Sequence, residues 1–120
     1  VELDRYHDFF QAELDRIGLD SVWAKRPRPE SLDGCAVCWK KSKFELVANE
    51  TLMFSDNAEG SRKDRLALVT LLRTRSSRQQ LIFVSTHFAR NPECRRQEVI
   101  RQRQGVQLML RLKSFAIRHG

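Results

Sequence analysis

Leu32-Asp33-Gly34-Cys35-Ala36-Val37-Cys38-Trp39-Lys40 is a short apolar run that opens on a carboxylate and closes on a lysine. Asp33-Gly34 has turn chemistry, and residues 35–40 have the apolar density of a strand, so the stretch predicts a strand entered through a turn. Upstream, Pro27-Arg28-Pro29-Glu30-Ser31 reads as a loop, because two prolines suit neither a ladder nor a helix interior. Residues 20–26 before it suit a short strand. Downstream, Lys41-Ser42-Lys43 reads as a turn and 44–54 as a returning strand. The expectation is an antiparallel hairpin of 35–40 with 44–54, with Glu45, Asn49 and Glu50 marking its wet face or ends.

Further along, 55–62 is polar and holds Asp-Asn and Gly, hence a loop. Residues 66–72 and 81–85 are apolar runs of Val, Leu and Ile, which suggests strands buried on both faces. The Arg- and Ser-rich 73–79 link between them implies a second hairpin. Leu3, Tyr6, Phe10, Leu14 and Ile17 recur at steps of three and four, predicting an amphipathic helix over 3–17 that ends at Gly18. Residues 96–117, rich in Arg, Gln and Leu, predict a long helix after Pro92, with Gly105 marking a kink or a close contact. The predicted order is helix, hairpin, hairpin, helix: an antiparallel sheet with helices on one face, half of a larger sandwich. The sheet's second apolar face then needs cover from outside these residues.

A chain of 120 residues, 41% hydrophobic, is long enough for one domain with a core. No apolar run approaches the roughly 20 residues of a membrane span, and no basic-then-apolar signal pattern opens the chain. Cys35, Cys38 and Cys94 are an odd set without zinc-like spacing, which favours buried thiols in a reducing compartment over a metal site or a disulfide framework. Residues 1–61 carry 8 basic and 12 acidic groups, net −4, and residues 62–120 carry 14 and 3, net +11. That asymmetry points to an anionic partner, RNA in the first instance, with a solvated basic face as the alternative.

Among residues able to do chemistry, His87 ends the strand Leu81-Ile82-Phe83-Val84-Ser85-Thr86, where a rigid support can aim an imidazole into a cleft. Asp33 lies at a strand edge, as a site group or as a turn residue capping local amides. Lys25 and Arg26 precede the proline loop and suit a phosphate, or simply face solvent.

Asp33-Gly34-Cys35-Ala36 and, later, Ser85-Thr86-His87-Phe88-Ala89-Arg90-Asn91-Pro92 resemble two strand motifs of the endonuclease/exonuclease/phosphatase domain. More narrowly, they resemble the branch holding the CCR4-type deadenylases, nocturnin and the angel proteins. The resemblance implies a mixed α/β fold: part of a four-layer DNase I-like sandwich, mostly antiparallel sheet with flanking helices. It implies that His87 contacts the scissile phosphate, that Pro92 shapes the nucleotide-base pocket with Asn91 beside it on the substrate side, and that Arg101 faces the active-site wall. Arg101 and Gln104 match Arg and Gln positions of the helix that follows the Thr-His strand. Asp33-Gly34-Cys35-Ala36-Val37-Cys38-Trp39-Lys40 is most like the angel proteins, whereas Phe88-Ala89-Arg90 departs from the Lys-x-Arg expected of nocturnin-like dinucleotide phosphatases. Val1 and Tyr6 resemble the residues after the family's Leu-Gln-Glu motif, so the register places the Mg²⁺-binding Glu one residue before Val1. Glu2 as that ligand, in a shifted register, is the alternative. Arg65 stands where the family has Asn.

The resemblance covers nearly the whole chain but only the middle of the family's domain. Mg²⁺ is expected of the complete domain, with no metal site assembled by these residues alone. Two functions follow. The first is part of a Mg²⁺-dependent phosphodiesterase acting on RNA, a deadenylase or an RNA-end phosphatase. The second is an inactive, decayed domain that binds RNA or serves as a structural component of a ribonucleoprotein. Either belongs in a reducing, RNA-containing compartment: cytoplasm, nucleus or mitochondrion.

Overall fold

A computed structural model describes residues 1–55, 65–89 and 93–120. Its elements in chain order are β1 (Glu2–Leu3), a π-helical turn (Tyr6–Phe10), α1 (Gln11–Arg16), β2 (Leu19–Lys25), β3 (Gly34–Lys40), β4 (Phe44–Met53), β5 (Leu66–Thr74), β6 (Gln80–Thr86) and α2 (Arg95–His119). The fold is mixed α/β, with two antiparallel three-stranded sheets in the orders β1-β3-β2 and β4-β5-β6.

The predicted hairpin of residues 73–79 is present: β5 and β6 pair from Ala67↔Thr86 to Arg73↔Gln80. The predicted hairpin of 35–40 with 44–54 is not. β3 instead pairs with β2, from Lys25↔Gly34 to Leu19↔Lys40, and β4 pairs with β5 in the other sheet. The short turn 41–43 passes between the sheets and is held from both. Lys41 N–H donates to Gly18 O (3.1 Å), on the side of β2, while Lys43 O accepts from Arg75 N–H (2.9 Å), in the β5–β6 connection. A three-residue turn permits a hairpin but does not enforce one, and each strand finds a longer ladder elsewhere.

Between the sheets, Cys35, Leu66 and Leu68 form a buried cluster with Val22, Ala24 and Val37 against it. Strand periodicity then sends Ala67, Val69 and Leu71 to the other face of β5, where Leu108, Leu112 and Phe115 of α2 cover them. The same alternation turns Ser21 and Trp23 outward on β2. Tyr6 stacks on Trp23 (ring centroids 5.5 Å apart), and its hydroxyl lies 2.7 Å from Ser21 Oγ. Each sheet therefore carries a helical segment on its outer face, rather than both helices sharing one face.

Three local expectations are corrected. The helix over 3–17 is a short strand, a π-turn and a six-residue α-helix, because Glu2 and Leu3 pair with Cys35 and Gly34. Gly18 ends it as expected, with φ +84°. β5 is buried on both faces, but β6 is a sheet-edge strand whose Leu81, Ile82 and Phe83 are exposed. Helix α2 runs continuously through Gly105, where an added Cβ would meet nothing within 4 Å among the described residues, so no close contact among them explains that glycine. Of the thiols expected to be buried, Cys35 is buried, Cys38 half-buried and Cys94 exposed, all three free.

Candidate active-site rim

At one end of the sandwich the first residues of β1, the entries of β3 and β5 and the exit of β6 meet. The Val1 carbonyl accepts from Ala36 N–H (2.7 Å) and from Ser85 Oγ (3.2 Å), tying one sheet to the other. Glu2, Arg26, Asp33, Gly34, Cys35, Arg65, Leu66 and His87 line a narrow cleft there. A wider, adjoining cleft runs along Ser85 and Thr86 and shares Glu2, Cys35 and His87 with the first.

The rim is built from two side-chain pairs. His87 Nδ1 lies 3.1 Å from Glu2 Oε2, with both side chains partly exposed. A carboxylate on Nδ1 fixes the ring and leaves Nε2 for a ligand. Arg26 Nη1 lies 3.8 Å from Asp33 Oδ2, and this pair is more sheltered, with side-chain exposures of 13% and 26%. Asp33 O also accepts from Arg26 N–H (2.9 Å), continuing the β2–β3 ladder by one rung. Beneath them, burial pushes the Cys35 thiol pKa up, partly offset by its hydrogen bond with Ser85. The arrangement presents an oriented imidazole beside a guanidinium, a pairing suited to an oxyanion such as a phosphate.

Of the residues expected to act on substrate, His87 lies on this rim, joined by Asp33 and Arg26. Lys25 is turned aside: its Nζ donates to Arg28 O (2.9 Å) and Arg26 O (3.3 Å), closing the proline loop on itself. Arg101 sits on α2 and reaches the segment after His87. Its Nη1 donates to Ala89 O (3.1 Å), while Gln104, 1% exposed, accepts from Ala89 N–H (3.0 Å). Both backbone polar atoms of Ala89 are thus held by one helix. Asn91 and Pro92 lie outside the described residues.

Sequence reasoning reaches Glu2 only as an alternative metal ligand; the structure puts its carboxylate on His87. No local signal marks that pair, because the two residues belong to different sheets. Among the described residues no group of three or more His, Cys, Asp or Glu side chains is placed to hold a metal ion. With Glu2 facing His87 and Asp33 facing Arg26, these residues by themselves do not fit a Mg²⁺ centre. No helix among the described residues is long and apolar enough to cross a membrane.

No family model matches the chain. Among curated proteins it is 30% identical over 114 residues to a probable CCR4-Not complex 3′-5′-exoribonuclease subunit Ccr4 from Vairimorpha ceranae, a match covering 78% of the chain and 24% of that protein. A protein of the same description from Encephalitozoon cuniculi is 31% identical, with 78% and 23% covered. The chain thus spans about a quarter of the length of these relatives. Among solved structures, the human nocturnin catalytic domain superposes with a TM-score of 0.78 at 23% identity, over 95% of this chain and 43% of that one. ANGEL2, a 2′,3′-cyclic phosphatase, superposes at 0.67 and 24% identity, over 81% and 28%. With the Asp33-Gly34-Cys35-Ala36 and Ser85-Thr86-His87 motifs brought to one rim of a nocturnin-like fold, the chain belongs to the CCR4, nocturnin and ANGEL branch of the endonuclease/exonuclease/phosphatase superfamily.

Proposed function

We propose that these residues form one portion of a Mg²⁺-dependent phosphodiesterase domain that acts on RNA, as a deadenylase-like exoribonuclease or an RNA-end phosphatase. The domain is a DNase I-like four-layer sandwich of which this chain supplies part. The observation that carries the reading is the convergence of His87, Asp33 and Arg26, each from a different strand end, on one cleft between the sheets. The activities of the relatives, a 3′-5′-exoribonuclease and a 2′,3′-cyclic phosphatase, share phosphoester chemistry. In this reading Glu2 holds the His87 ring, Nε2 faces a phosphoryl oxygen, and Arg26 offsets the phosphate charge. Arg101 and Gln104 position the segment after His87, and Asn91 and Pro92 contribute to the base pocket. Mg²⁺, when bound by the complete domain, supplies Lewis-acid polarisation of the phosphate.

The test is Mg²⁺-dependent degradation of poly(A) by the natural polypeptide that carries these residues. His87→Ala is expected to lower turnover by about 10²–10⁴-fold with an unchanged circular dichroism spectrum. Turnover near that of the parent removes His87 from the site.

A second reading, a non-hydrolytic RNA-contacting domain of a ribonucleoprotein, draws on the same rim. Both of its carboxylates already face partners within this chain, Arg26 and His87, and residues 62–120 carry a net +11. RNA binding that needs no Mg²⁺, with no hydrolysis, is its signature.

A further inference from the structure

Helix α2 has two unlike faces. The inner one buries Gln104 and Phe115 and packs Leu108 and Leu112 on the β4-β5-β6 sheet. The outer one carries Val99, Val106, Leu110 and Ile117, whose spacing of seven, four and seven residues places them along one line of a helix. These side chains are 44%, 60%, 65% and 72% exposed, and Met109 beside them is 66% exposed. The stripe is about 27 Å long at ~1.5 Å per residue, enough for a partner helix of about five turns. Arg95, Arg103 and Lys113 fall on the same side by helical periodicity, and no Asp or Glu does. Glu98 lies off to one flank, paired with Arg101, while Arg111 and Arg118 turn the other way to Glu50 of β4.

We propose that the outer face of α2 is a docking surface for an acidic amphipathic helix of a partner protein. Apolar side chains of that helix lie along Val106, Leu110 and Ile117, its flanking carboxylates meet Arg103 and Lys113, and Met109 adapts to fit. Charge selects this occupant. A second copy of α2 brings only cations against cations, with no carboxylate on the face to offset them. RNA would use the cations and leave the apolar stripe in water. The face also lacks the aromatic residues common on helices that lie in a lipid interface. It shares no residue with the rim around His87, so it stands or falls apart from the hydrolytic reading.

The experiment uses the natural polypeptide and a labelled synthetic helical peptide of about five turns (~18 residues at 3.6 per turn), with Leu along one stripe and Glu flanking it. Fluorescence anisotropy is expected to show binding that Val106→Ser with Leu110→Ser weakens at least tenfold. Both positions are mostly exposed, and an unchanged melting temperature confirms that the fold is kept. Arg103→Glu with Lys113→Glu is expected to lose the Glu-flanked peptide and gain a Lys-flanked one. The proposal is overturned by no binding, or by equal binding of the two peptides. It is overturned equally by self-association that Val106→Ser with Leu110→Ser abolishes, which assigns the face to a second copy. Binding only to phosphatidylserine vesicles or only to single-stranded RNA, with loss in the same variants, assigns it to those ligands instead. Slow oxidation of Met109 by peroxide in the free polypeptide shows the face already covered by its own chain, and overturns the proposal too.

Discussion

Gly34 occupies a place where no side chain fits. A Cβ there would lie 2.2 Å from Ala24 O and 2.7 Å from the Trp23 ring, although its φ is not left-handed. Sequence reasoning gives this glycine backbone freedom beside Asp33; packing gives it a steric role, since Trp23 crosses over it and donates to Leu3 O (3.1 Å). Gly34→Ala is therefore expected to cost about 1–3 kcal/mol, read by urea denaturation, and a variant as stable as the parent would show that β2 and β3 part easily. The thiols give a prediction in pH. Burial raises the pKa of both Cys35 and Cys38, so their neutral forms favour the folded state. The sign follows from linkage: this contribution is full below the unfolded thiol pKa and is lost as pH rises through the raised folded value. In alkylation by iodoacetamide, exposed Cys94 is expected to react first, with Cys35 and Cys38 lagging until the pH is higher. Equal rates at mildly alkaline pH would show that the sheets open readily.

At the scale of elements, α2 is the one most legible in the sequence. Its span is expected over 96–117 and observed over Arg95–His119, because a long run rich in Arg, Gln and Leu, all good helix formers, meets no proline. Gly105 looks like a kink in the sequence only because glycine costs helix stability wherever it lies. Gly105→Ala is expected to stabilise by about 0.5–1 kcal/mol, seen as a higher melting temperature, since the added methyl meets no neighbour. A destabilised variant would mean that the glycine serves a contact outside the described residues. The β5–β6 hairpin was equally readable, since its strands are long, apolar and joined by a short polar link. The failed 35–40 with 44–54 hairpin has the same local appearance. What separates the two cases is Arg75, which takes Lys43 O and Lys41 O and draws that turn toward the second sheet. A residue more than thirty positions away leaves no mark on the turn's own sequence.

For the whole molecule, charge is unevenly placed along the chain, and in the proposed RNA-binding reading this has a measurable consequence. Poly(A) affinity is expected to fall linearly in log–log salt dependence, with a slope set by the phosphates neutralised. Arg95→Glu with Arg96→Glu, both exposed at the start of α2, should flatten that slope. An unchanged slope places the contacts elsewhere. The sequence by itself determined the strands of residues 35–40, 66–72 and 81–85, the long C-terminal helix, the His at a strand end and the family motifs around it, because these depend on neighbours a few positions apart. Only the tertiary structure decided that β3 joins β2 rather than β4, that Glu2 faces His87 and Arg26 faces Asp33, and that α2 holds both backbone atoms of Ala89. Strand-edge pairing and side-chain pairs between distant strands are settled by which surfaces the chain buries together, and periodicity along one segment carries no record of that choice.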